Sequence, residues 1–229
     1  MKKKLLYSGL YFSEGAPIGF IWWCLTSILA TNGVSNAQIA TITAMATLPW
    51  SFKFVLAPII EVLSRKGLGL KWQLFSYQLL MGASALSFSS YIEAADYNSL
   101  TWIIFFHSLM SASQDICIDS LAIKNISESE LGSINGFMQA GMLLGRSLFG
   151  GAGIYLFHLY GLNTLVYLLV TCIWLSLIAS LFIEEKKTEI VGDTLTKYFS
   201  EVYGLLKSKN LWTLMSIAFL ASISFEGIA

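Results

Sequence analysis

The chain has 229 residues, of which 55% are hydrophobic and 12% charged; its formal net charge is zero and its mean hydropathy is +0.66. A soluble domain carries about 25% charged residues, so the composition excludes an ordinary soluble globule and puts lipid around the chain. The balanced charge gives no footprint for nucleic acid.

Lys2, Lys3 and Lys4 precede an apolar run that continues to about Ala30 and contains Glu14 and Pro17. A cleaved signal peptide has a shorter apolar region ending in small residues, so this run reads as a retained first span. Crossing a bilayer takes about 20 apolar residues at ~1.5 Å each. That ruler predicts spans at 5–31, 37–63, 73–92, 100–123, 132–158 and 164–183, with a seventh at 211–229 that runs off the end of the chain. The connections 31–36 and 160–163 are short and contain Gly and Asn, which suits helical hairpins.

Basic residues collect in cytoplasmic loops. Of the fourteen Lys and Arg, all but Lys53 and Arg146 fall before span one or in the connections after spans two, four and six. These positions share one side if the spans alternate, which predicts a cytoplasmic N-terminus. Residues 184–210 read as a cytoplasmic linker in which Leu195, Tyr198, Phe199 and Val202 recur at helical spacing. This suits an amphipathic surface helix and is compatible with a connector between two halves. Phe12-Ser13-Glu14-Gly15 in span one and Ser224-Phe225-Glu226-Gly227 in span seven form a short internal match, as in a protein of two repeated halves.

Spans three and six are free of charge. Glu14, Lys53, Asp115 with Asp119, Arg146 and Glu226 lie inside the others. An ionisable group at mid-span costs about 2.5–3.5 kcal/mol on insertion scales, so such groups normally face a bundle interior or a wet cavity. His107, Ser111, Asp115 and Asp119 are four residues apart in turn and share one helix face. By helical rise Glu14 and Lys53 lie ~13 Å from the cytoplasmic end of their spans, Asp115 ~9 Å, Asp119 ~3 Å and Arg146 ~22 Å. Glu14, Lys53 and Asp115 thus share a layer, and two readings of it are open: a static ion triad that fixes packing, or a substrate and proton site. Arg146 is an anion contact or a structural cation. Asp119 sits level with Glu61, Arg65 and Lys66 and reads as part of a cytoplasmic gate. His107 reads as an interface residue and His158 as structural.

Span five contains the Gly-x-x-x-Gly pairs Gly132/Gly136 and Gly141/Gly145, which permit close helix approach. Pro17, Pro49 and Pro58 lie inside spans one and two, where they can kink a helix and free carbonyls. Cys24, Cys117 and Cys172 lie apart in apolar stretches with no Cys-x-x-Cys spacing, and read as core residues rather than a disulfide or metal framework. With no nucleophile constellation, metal spacing or phosphate loop, nothing calls for an enzyme, a metal or a cofactor.

Tyr11-Phe12-Ser13-Glu14-Gly15-Ala16-Pro17, Leu48-Pro49-Trp50-Ser51-Phe52-Lys53-Phe54 with Ala57-Pro58, and Ser111-Ala112-Ser113-Gln114-Asp115 with Asp119 together resemble the major facilitator superfamily. Within it they look like the branch of AmpG-type muropeptide permeases and acetyl-coenzyme A transporters. The resemblance covers about residues 7–183 and implies two six-helix halves, a central cavity, alternating access and proton coupling. The fold class it implies is an all-α membrane protein: a six-helix bundle at 1–183, a linker at 184–210, and a truncated seventh helix at 211–229. The missing second half would come from the same full-length chain, or from a homodimer. The function implied is a permease or symporter of the inner cell membrane for a small anionic or amphipathic solute, such as a muropeptide or an acyl-coenzyme-like molecule. A truncated, non-transporting membrane protein is the alternative. Glu61 stands for the Asp of the superfamily's cytoplasmic Gly-x-x-x-Asp-Arg-x-Gly-Arg-Arg signature, with Arg65, Lys66 and Lys71 as its basic cluster. The acidic Glu14 departs from the muropeptide permease pattern and points to a sister group.

Overall fold

A computed structural model describes residues 2–185, 200, 203–204, 207–213 and 215–217. The chain divides into two compact units, residues 1–188 and 189–229. Within the second, the described residues include helical stretches at 209–213 and 215–217. The expected linker helix and the Glu226 repeat lie outside the described residues.

In the first unit the described residues form helices joined by short turns, with no strand among them. The first stretch comprises α1 (Lys2–Gly19), a π-helical segment (Phe20–Leu25) and α2 (Thr26–Thr31). Pro17 lies one turn before the π segment. Widening the helix there loosens its carbonyl ladder, and the hydroxyls of Thr26 and Ser27 return hydrogen bonds to the carbonyls of Trp22 and Trp23 at 2.9 and 2.8 Å. The second stretch is α3 (Asn36–Ser51) and α4 (Lys53–Arg65), bent by 51° across Phe52, three residues after Pro49. Ser35 caps α3 by accepting from the Gln38 amide. The third stretch is α5 (Leu70–Leu86) and α6 (Phe88–Glu93), the fourth the 29-residue α7 (Tyr97–Asn125). At ~43 Å, α7 outruns the ~30 Å hydrocarbon core. Finally, α8 (Glu128–Ser180) is two limbs joined at Gly161, whose φ of 81° and ψ of 170° turn the chain as a side chain would resist.

Helical stretches therefore lie where the apolar ruler puts its first six spans. By length and composition alone, α8 is long and apolar enough to cross a membrane, as is the bent pair α3–α4 taken as one span. The other stretches are interrupted or carry polar side chains. Where those polar side chains point is more telling. Trp102, Leu143, Leu144, Leu148, Leu175 and Ile178 are exposed, whereas Ser13, Glu14, Gln78, Gln114 and Asp115 are buried. Such inverted polarity suits a bundle whose solvent is lipid.

The buried apolar residues form two clusters. One gathers Phe20, Leu25, Phe88, Ile104 and Leu165; the other gathers Tyr7, Leu10, Leu74, Ile118 and Met138. Between them in sequence, on α1, α5, α7 and α8, fall Glu14, Gln78, Asp115 and Ser176. Ser176 Oγ accepts from Gln78 Nε2 at 2.7 Å and is hydrogen-bonded to Ser13 Oγ at 2.7 Å, tying three helices together in this polar layer.

The frame of the layer is the seam between α1 and the first limb of α8. A Cβ at Gly15 would meet the Met142 carbonyl oxygen at 2.1 Å, and one at Gly19 the Arg146 carbonyl oxygen at 2.3 Å. From the other side, Cβ atoms at Gly141 and Gly145 would meet the carbonyls of Ser8 and Phe12 at 2.1 and 2.4 Å. Two backbones this close admit only glycine. Of the two expected glycine pairs, Gly132/Gly136 takes no part, with nothing within 4 Å. At about 100° per residue, the nine residues from Gly132 to Gly141 place them about 180° apart. The first pair faces away.

Candidate functional site

The break at Phe52 makes Lys53 the first residue of α4 and delivers its side chain into the polar layer. There Lys53 Nζ pairs with Asp115 Oδ2 of α7; the Asp115 side chain is 6% exposed and that of Lys53 33%. The ammonium also lies 5.1 Å from the ring centroid of Trp50, one turn back across the break. Glu14 of α1 is fully buried beside this pair. Neither of its oxygens has a hydrogen-bond partner among the described residues, and Asp115 and Lys53 are the charges that act on it most strongly. Gln114, next in sequence to Asp115, is also fully buried with neither amide atom satisfied. Two buried carboxyl groups thus share a site with one ammonium whose side chain is one-third exposed.

The neighbouring groups divide differently from the sequence expectation. Asp119 accepts a hydrogen bond from Tyr11 of α1 at 2.5 Å. Glu61 takes Arg65 Nε at 3.0 Å on one oxygen and Lys124 Nζ of α7 at 3.5 Å on the other. Lys66 is exposed at the end of α4. The cluster around Glu61 therefore ties α4 to α7 through Glu61 and Lys124, while Asp119 bridges α7 to α1. Glu185 adds another tie: its carboxylate caps the start of α5, accepting from the amides of Leu70 at 2.6 Å and Lys71 at 3.1 Å.

Arg146 is half-buried on α8, with its Nε unpartnered among the described residues. Its carbonyl abuts Gly19 in the glycine seam. It makes no ion pair with Asp115; Lys53 does. His107, expected at an interface, is instead 1% exposed. It packs edge-on to Phe88 at 5.2 Å because the α5–α6 break folds Phe88 over it. Sequence reasoning passed over Tyr11, Gln114 and Glu185. For Tyr11 the readable signal was its place one turn from Glu14 on α1; nothing local marked Glu185. No cluster of His, Cys, Asp and Glu suited to a metal occurs among the described residues. The three cysteines are free thiols. Outside the spans, Asp96 caps α7, and the side-chain and amide hydrogen bonds of Ser99 hold its carboxyl below the usual value.

Residues 6–229 match the family model described as Major Facilitator Superfamily. Among similar proteins, "Putative transporter AmpG 1" of Rickettsia typhi is 29% identical over 171 residues, covering 71% of this chain and 38% of that protein. The protein of the same name in Rickettsia conorii is 31% identical over 127 residues, covering 52% of this chain and 30% of its own length. An uncharacterized protein of Haemophilus influenzae is 24% identical over 192 residues, covering 81% of this chain and 44% of its own. The chain spans less than half the length of these relatives.

Proposed function

The chain belongs to the major facilitator superfamily of multi-pass membrane transporters of small molecules, and from that premise we propose that it serves a proton-coupled transporter of an anionic or amphipathic solute. The observation that carries this reading is the charge count in the polar layer. Glu14 and Asp115, both buried, share one cation, Lys53, whose side chain is one-third exposed. An ionised carboxylate buried without a partner costs several kcal/mol, and two adjacent carboxyls in low dielectric do not both ionise. The layer is therefore accommodated when one carboxyl carries a proton. Release of that proton leaves a net negative charge, so protonation and the position of Lys53 are linked.

In this reading an anionic group of the substrate competes with Asp115 for Lys53, and Arg146 supplies a second contact farther out. Glu61, Arg65, Lys66 and Asp119, with Lys124 and Tyr11 as their partners, form the cytoplasmic latch that opens and closes in alternating access. A second six-helix half, in the same full-length chain or a second copy, closes the cavity. The protein lies in the inner cell membrane with its N-terminus in the cytoplasm. Similarity to proteins named as transporters supports a transported solute; a muropeptide-like or an acyl-coenzyme-like anion fits this cation.

Proteoliposomes test the coupling. Glu14→Gln and Asp115→Asn should abolish uptake driven by a pH gradient, while Glu14→Gln retains substrate counterflow, which needs no net proton movement. Gradient-driven accumulation at the parental rate in both variants would remove the carboxyl pair from the mechanism.

A further inference from the structure

One turn outward from Asp115, α7 borders a small niche against α1 and α3. Its walls include Trp22 of the π segment, Trp50, His107 and Ser111, and its volume is about 20 Å³. One oxygen needs about 10–15 Å³ on this measure, so the niche holds a single hydroxyl or water and nothing larger.

Its polar groups are prearranged. His107 Nδ1 lies 3.1 Å from the Met81 carbonyl and 3.0 Å from Ser84 Oγ, which can donate or accept, so either ring nitrogen can carry the hydrogen. Nε2, on the other side of the ring, has no partner among the described residues. Ser111 Oγ, on a residue only 3% exposed, has none either. Nearly every buried polar group in a folded protein is hydrogen-bonded, so these two adjacent exceptions point to a ligand. His107 and Ser111 both line the niche, and a hydroxyl reaching between these two atoms, which have almost no accessible surface in this arrangement, would both donate and accept there. The niche also adjoins the ion pair, because Trp50 both lines it and packs against Lys53. Along α7, Ser111 and His107 stand ~6 and ~12 Å from Asp115.

We propose that His107 and Ser111 form a hydroxyl-recognition subsite for an anionic solute whose negative group sits at Lys53, about 6–12 Å away along α7. The subsite rests on the transport reading only for its anion; the hydroxyl selectivity is tested separately. The probes are para-hydroxyphenylbutyrate, phenylbutyrate and para-methoxyphenylbutyrate, carboxylates that differ at one distal position. Binding to the purified full-length protein is read by tryptophan quenching. The hydroxylated probe should bind about 10-fold more tightly than phenylbutyrate, on the order expected for one hydrogen bond to a preformed site. The methoxy probe, too large and without a donor, should bind no better than phenylbutyrate.

Ser111→Ala removes no hydrogen bond within the protein, so its fold should be intact, and it should bring the hydroxyl preference close to unity. His107→Phe keeps the ring against Phe88 and should do the same. Equal affinities in the parent, or no binding of the hydroxylated probe, would overturn the subsite and leave the niche as a water site. Lys53→Met separates the two ideas. Loss of all three probes there supports the anion reading. A hydroxyl preference that survives Lys53→Met but vanishes in Ser111→Ala sinks the anion contact and upholds the subsite.

Discussion

Replacing Gly141 with alanine should force α1 and α8 apart. The new Cβ would lie 2.1 Å from the Ser8 carbonyl oxygen, and ordinary contact begins at 3.4 Å, so the helices must part locally by about 1.3 Å. The obstacle is backbone, which cannot rotate aside. Because Gly15 and Gly145 close the same seam, the parting spreads along it. Overpacking costs about 1–3 kcal/mol, and a radial gap of ~0.5–1 Å forfeits a quarter to a half of each contact's attraction. Alanine's better helix propensity returns about 1 kcal/mol. A net loss of up to about 2 kcal/mol is expected from these opposing effects. Gly136→Ala is the matched control: its Cβ meets nothing within 4 Å, so it should gain about 0.5–1 kcal/mol. Thermal unfolding in detergent can be followed by a thiol-reactive dye that reaches the buried Cys24 and Cys117 on melting. Gly141→Ala should melt below the parent and Gly136→Ala at or above it. Equal midpoints for the two variants would refute the seam. Glu14 adjoins Gly15, so the same parting should also weaken transport in Gly141→Ala and spare it in Gly136→Ala.

Lys53→Met strands Asp115, whose side chain is 6% exposed. Breaking a fully buried pair costs about 3–5 kcal/mol; with Lys53 one-third exposed, a loss of about 1–3 kcal/mol is expected. Adding Asp115→Leu should recover most of that in the same melting assay without restoring transport, and a double variant no more stable than Lys53→Met would contradict the pairing. Glu185→Ala uncaps α5 and should lower stability by about 1 kcal/mol, with faster hydrogen exchange at Leu70 and Lys71; unchanged exchange there would count against the cap. At Asp96 the carboxyl is held low, so its cap is complete above the ordinary carboxylate pKa of about 3.9 and is lost as pH falls through the lowered folded value. Exchange at the Ser99 amide should rise beyond its intrinsic trend over that acid window, and Asp96→Ala should remove the step.

The helical stretches were legible because a bilayer makes length an observable: each run of about 20 apolar residues is a span whatever it packs against. Breaks follow Pro17 and Pro49, but Pro58 lies inside the unbroken α4, so a proline removes a backbone donor without always breaking the helix. Which glycines pack was less legible. Gly132/Gly136 and Gly141/Gly145 have identical local sequence signatures, and only the bearing of α1 around α8 selects the second pair. The break between α5 and α6 at Ser87 has no proline or glycine beside it, and with it went the burial of His107.

The candidate site divides along the same line. Glu14, Lys53 and Asp115 could be assigned to one layer by counting residues from the span ends, because helical rise converts sequence into depth with an error of a few ångströms. Partners cannot be read from depth. Asp119 and Glu61 lie at similar depth, but Asp119 reaches Tyr11 and Glu61 reaches Arg65 and Lys124. That choice depends on the azimuth of each side chain about its own helix and on the rotation of neighbouring helices, which no single sequence specifies. His107 shows the consequence. Its four-residue spacing from Ser111 placed both on the face that carries Asp115, and that periodicity was the sounder guide to its burial than its distance from the helix end. In lipid a polar stripe extends as far as polar partners or water can serve it, so a buried imidazole nitrogen and hydroxyl without partners mark where the stripe is completed by something other than protein.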